Sequence, residues 1–72
     1  MTPIEFLKAV KAATGAESCE LFEQGDWYIY RWTFYSGRWV DIKYPSCAVP
    51  SSITATVNSV LQTLRFAWRK QS

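Results

Sequence analysis

The residues of this chain best suited to chemistry point to recognition rather than to bond making. Arg31 stands between two carboxylates, Glu20 and Asp41, with Phe22, Ile29 and Trp39 interleaved among them. A guanidinium presents its donors in a planar fork that matches a carboxylate, and aromatic rings supply large apolar area with few rotatable bonds. Arginine and tryptophan are residue types in which interface hot spots are enriched. Catalytic constellations are missing from the sequence: it has no histidine, no P-loop, no Gly-x-Ser-x-Gly, no carboxylates gathered in a glycine-framed loop and no ligands at metal spacing. Cys19 and Cys47 sit in neither a Cys-x-x-Cys nor a secreted-scaffold spacing, and the sequence identifies no neighbouring base for either, so both are expected as buried, reduced thiols. The chain is therefore read as a non-enzyme that uses no cofactor and no metal.

Bringing Arg31, Glu20 and Asp41 together requires a sheet, and the aromatic pattern supplies one. Of four Trp, four Tyr and four Phe, eight lie between Trp27 and Tyr44. Even positions there read Tyr28, Tyr30, Trp32, Phe34, Val40, Ile42 and Tyr44, an apolar face at a period of two. Odd positions read Trp27, Ile29, Arg31, Thr33, Tyr35, Trp39, Asp41 and Lys43. That face is too polar for a core and too aromatic for an idle surface.

Turn chemistry sets the register. Residues 17 to 24 alternate as a first strand, and Gly25-Asp26 as a two-residue loop brings Gln24 opposite Trp27, Leu21 opposite Tyr30 and Cys19 opposite Trp32. Tyr35-Ser36-Gly37 as a three-residue loop, with glycine at the left-handed position, brings Trp32 opposite Val40, Tyr30 opposite Ile42 and Tyr28 opposite Tyr44. Both turns place the same residues on one apolar face. The outer face then falls into rows: Phe22, Ile29 and Lys43; Glu20, Arg31 and Asp41; Ser18, Thr33 and Trp39.

Helices must cover the other side. Thr2, Pro3 and Glu5 form a capped helix start, Gly15 ends that helix, and Phe6, Leu7, Val10 and Ala13 make its apolar stripe. Pro45 closes the third strand, and Pro50-Ser51-Ser52 leads with a serine cap into a second helix whose stripe is Ile53, Val57, Val60, Leu61, Leu64 and Trp68. The predicted core is Phe6, Leu7, Val10, Leu21, Tyr30, Trp32, Phe34, Val40, Ile42, Val57, Leu61 and Leu64. Phe66 points away from the second stripe and, with Arg65 and Arg69, marks a second patch at the basic end of the chain.

The fold expected is α+β: residues 1–72 as a single small domain, α-β-β-β-α, with a three-stranded antiparallel meander and both helices packed on one face. Its apolar runs are far shorter than the about twenty residues a bilayer span needs, and no basic segment precedes a hydrophobic stretch at the start, so a cytoplasmic location without membrane contact is expected. In topology and length, over most of the chain, this order resembles the double-stranded RNA-binding domain. That resemblance implies nucleic-acid binding, with a lysine-rich opening of the second helix to grip phosphates. The corresponding residues here read Pro50-Ser51-Ser52-Ile53-Thr54-Ala55, with no basic side chain. Recognition of a protein partner through the outer face, as a small adaptor or an inhibitor with the general character of phage-encoded anti-CRISPR proteins, is the leading expectation. Nucleic-acid binding ranks second, and a symmetric homodimer competes for the same face.

Overall fold

Helix α1 (Pro3–Thr14) begins in a reciprocal cap. Thr2 Oγ1 accepts from the Glu5 amide at 3.2 Å, and the Glu5 carboxylate accepts from the Thr2 amide at 3.1 Å. The Thr2 amide first, and the Thr2 side chain second, favour the ionised carboxylate and hold the Glu5 pKa below its ordinary value. The helix stops at Gly15, whose φ of 76° lies in the left-handed region, and both Gly15 and Ala16 donate to the Lys11 carbonyl. In the computed structural model β1 (Ser18–Gln24), β2 (Trp27–Thr33), a 3-10 turn at Tyr35–Gly37, β3 (Trp39–Pro45) and α2 (Ile53–Gln71) follow. The structure describes residues 1–48, 50 and 52–71, with the backbone alone for residue 36 and residues 66–71.

The sheet is an antiparallel meander in the order β1-β2-β3, with the register that the turns demand. Cys19 faces Trp32 and Leu21 faces Tyr30 across the first pair; Tyr30 faces Ile42 and Trp32 faces Val40 across the second. Gly25 and Gly37 both have positive φ, 61° and 77°, so the two turns work as their glycines require. The second loop is closed by the Phe34 amide donating to the Arg38 carbonyl at 2.6 Å. α1 packs against β1 and α2, and α2 against β3, which covers the face that carries Cys19 and Leu21 of β1 and the even-numbered residues of β2 and β3.

Trp32, Tyr30, Phe6, Val10 and Val60 are fully buried, and Leu7, Ala16, Phe34 and Val40 complete the core. Phe6 meets Tyr30 edge-on at 5.3 Å between centroids, while Tyr30 stacks on Trp32 at 6.1 Å. Two layers over only three strands leave little interior. Leu21, Ile42, Val57, Leu61 and Leu64, expected in the core, are accordingly half-buried at its rim.

Both helical stripes differ from the pattern of apolar residues. In α1, Ala13 is exposed and Thr14 instead lies on the covered side, where its hydroxyl donates back to the Val10 carbonyl at 2.8 Å. In α2 the buried centre is Thr56 with Val60, and Ile53, Val57 and Leu64 flank it half-buried. Thr56 tolerates burial because its hydroxyl lies 3.3 Å from the Ser52 carbonyl and 3.2 Å from the Tyr44 hydroxyl. Ser52 caps α2 by accepting from the Ala55 amide at 3.2 Å. The Trp68 side chain lies outside the described residues.

Candidate functional site

The uncovered face of the sheet carries the three expected rows: Phe22, Ile29 and Lys43; Glu20, Arg31 and Asp41; Ser18, Thr33 and Trp39. Strand alternation puts these side chains on the side opposite the helices. Phe22, Trp27, Trp39 and Tyr35 are 37%, 41%, 59% and 74% exposed, while Ile29 is half-buried among its neighbours. No residue in the described part of the chain forms a third layer over them.

Arg31 organises this face. Its Nε donates to Asp41 Oδ1 at 2.7 Å and its Nη2 to Asp41 Oδ2 at 2.8 Å, a fork-to-fork pair across β2 and β3. The plane of the guanidinium lies near two rings, Phe22 at 5.1 Å and Trp39 at 5.4 Å from their centroids. The bond to Asp41 is the main reason that the Arg31 pKa is raised, with the Asp41 and Glu20 charges adding to it. Glu20 therefore shares the row with Arg31 as a neighbouring charge, whereas Asp41 takes the fork. Lys43 repeats the motif, with its Nζ 4.9 Å from the centroid of Trp27.

This arrangement sets Arg31, held by Asp41, beside the rings of Phe22 and Trp39, and Lys43 over Trp27. It exposes broad aromatic area whose orientation is already set, which lowers the ordering cost of binding a partner. All six expected face residues, Glu20, Phe22, Ile29, Arg31, Trp39 and Asp41, come together there. Trp27 and Lys43 belong to the same surface, and Tyr35 is exposed in the 3-10 turn between β2 and β3. Their odd numbering was the available signal; the pairing of Lys43 with Trp27 depends on side-chain rotamers and had none.

Of the second patch, Arg65 is exposed on α2, and the side chains of Phe66 and Arg69 lie outside the described residues. Neither cysteine has the full burial expected of it: Cys47 is exposed in the loop after β3 and Cys19 is only partly buried on the edge strand, both as free thiols. Cys19 lines a groove of about 380 Å³ with Lys8, Lys11, Ala12, Gly15 and Ala16, on the helical side of β1. Among the described residues no three of Cys, Asp and Glu gather as a metal site, and no helix is long and apolar enough to cross a membrane. No protein-family model, curated protein or solved structure matches the chain.

Proposed function

We propose that this domain is a non-catalytic recognition module that binds a protein partner through the outer face of its sheet, as a small adaptor or inhibitor. The observation that carries this reading is Arg31 clasped by Asp41 and flanked by the rings of Phe22 and Trp39, an aromatic surface with no cover among the described residues. Exposed aromatic rings around an arginine that is already paired have the composition of an interface centre, and a monomeric protein gains nothing in stability by exposing them. A domain of 72 residues acts on a larger machine most simply by occluding one of its surfaces. Phage-encoded inhibitors of bacterial defence, such as anti-CRISPR proteins, are the functional analogy.

Binding of nucleic acid is the second reading, and the exposed rings of Trp27, Tyr35 and Trp39 favour it, since bases stack on such platforms. Asp41 and Glu20 beside Arg31 weigh against it, because they repel a phosphate backbone. Affinity capture from cells that carry the partner, with parent and Trp39→Ala baits and mass spectrometry of the eluate, tests the proposal. Retention of one specific protein that resists moderate salt and is lost by about 2 kcal/mol or more of affinity with Trp39→Ala supports it. Capture of nucleic acid that fades steeply with salt, unaffected by Trp39→Ala, overturns it.

A further inference from the structure

We infer that the partner contributes an extended, basic segment that adds as a fourth strand along the free edge of β1, next to the aromatic face; this deepens the recognition reading above and rests on it. The first argument is area. Three strands at about 4.8 Å spacing and seven residues long give a face of about 14 Å by about 23 Å. Doubled for side-chain relief, its footprint of about 330 Å² reaches only the low end of the about 600–1,000 Å² per partner of a standard interface. An occupant of the face alone, including a second copy stacked on it, makes a small contact, and one that continues over an edge makes a larger one.

The second argument is which edge is open. The strand order leaves β1 and β3 at the margins. A two-residue loop makes Gln24 and Trp27 the closing hydrogen-bonded pair, and the ladder alternates from there. The even residues of β1 therefore bond to β2, and the amides and carbonyls of Cys19, Leu21 and Glu23 point outward. Among the described residues no backbone bond crosses that margin. The corresponding groups of β3 belong to Trp39, Asp41, Lys43 and Pro45, and Pro45 has no N–H to give.

The third argument is charge. Of six carboxylates, Glu5 closes the cap of α1 and Asp41 holds Arg31; the other four, Glu17, Glu20, Glu23 and Asp26, lie on β1 or its flanking turns, all exposed. No lysine or arginine occurs between Lys11 and Arg31. Glu20 projects on the outer face beside Phe22, and Glu23 on the opposite side of the strand. Pairing β1 with β1 of a second copy sets acidic strand against acidic strand, which is unfavourable. A segment with lysine or arginine at alternate positions carries them all on one side, where they meet Glu20 and lie along Phe22 while its backbone completes the ladder; Glu23 adds to the acidity of the same edge.

Amide hydrogen exchange with synthetic peptides tests this. An alternating lysine–valine heptapeptide at millimolar concentration should slow exchange at Cys19, Leu21 and Glu23 by about tenfold or more, as expected where a new ladder protects them. A glutamate–valine heptapeptide should not, nor should a lysine–valine peptide with proline at its central position. The protection should vanish in Glu20→Lys/Glu23→Lys and weaken in the milder Glu20→Gln/Glu23→Gln. Equal protection by the proline peptide, protection at Trp39, Asp41 and Lys43 instead, or none at either edge overturns strand addition. If the edge stays unprotected while Trp39→Ala still abolishes partner capture, the face reading stands and strand addition alone falls.

Discussion

The indole Nε1 of Trp32 donates to the main-chain carbonyl of Leu7 at 3.0 Å, joining the middle strand to α1 inside the core. The same carbonyl lies at the acceptor position for the next helical turn and has a second lone pair to give. Trp32 thus fixes the angle of the helix on the sheet as well as filling the space between them.

Trp32→Phe keeps most of the ring and leaves the Leu7 carbonyl with its helical role, so a loss of about 1–2 kcal/mol is expected; Trp32→Ala leaves a cavity and should cost about 3–5 kcal/mol, enough to unfold much of the population. Urea denaturation of both variants measures the difference. A Trp32→Ala protein that melts within a few degrees of the parent would contradict the placement of this ring.

Tyr30 presents the reverse situation. Its ring is fully buried and its hydroxyl is buried with no hydrogen-bond partner among the described residues, and burial raises its pKa, with the neighbouring Tyr28 and Tyr44 adding to the effect. Removing an unsatisfied buried hydroxyl relieves a desolvation cost of about 1–3 kcal/mol, so Tyr30→Phe should raise the melting temperature. A clear fall in melting temperature would show that the hydroxyl is bonded.

The Arg31 to Asp41 pair is about one-third exposed on each side. A double-mutant cycle with Arg31→Met and Asp41→Asn should give a coupling of about 0.5–1 kcal/mol, at the upper end for exposed pairs because the geometry is bidentate and ring-flanked. Added salt should reduce it only partly. A coupling indistinguishable from zero in low salt would mean that the fork does not hold the face together.

Glu5 gives a pH signature whose sign follows from its lowered pKa. Its contribution is complete above the unfolded pKa of about 4.3 and is lost as pH falls through the lower folded value. Glu5→Gln keeps a side-chain acceptor for the Thr2 amide but does not titrate. Thermal melts from pH 6 down to pH 2 should therefore show a smaller acid-induced loss in Glu5→Gln than in the parent, and parallel curves would count against the capped carboxylate.

Trp39 separates folding from recognition. At 59% exposed it has little core to lose, so Trp39→Ala should shift stability by less than about 1 kcal/mol while weakening partner capture. A collapse of the fold in this variant would make the outer face a structural layer.

Much of this was legible in the sequence because two glycine turns on either side of β2 imposed one parity on three strands. A slip of one residue at Gly25 or Gly37 would have moved Trp32 and Arg31 to the wrong sides, so the rows Glu20–Arg31–Asp41 and Cys19–Trp32–Val40 were over-determined. The helical faces were less legible. Thr56 occupies the centre of α2 because two oxygens, those of Ser52 and Tyr44, come within reach of its hydroxyl, and that coincidence is tertiary. Ala13 was assigned inward on apolarity alone, yet a methyl group loses little by facing water, and Thr14 has its own carbonyl to bond. At the face, composition put Arg31 between two acids; rotamers decided that Asp41 takes the fork while Glu20 remains outside it.

The distribution of tryptophans has an optical consequence. Trp32 is sealed from water, whereas Trp27 and Trp39 lie exposed on the outer face, each with a cation beside its ring. In a background where Trp68 is phenylalanine, excitation of the indoles samples one dry fluorophore and two wet ones. Iodide quenches the second kind and spares the first. Anything that settles on the outer face must shift the wet emission to the blue and shield it from quencher, while the dry component stays constant as an internal reference, so occupancy of this surface reads out without a label.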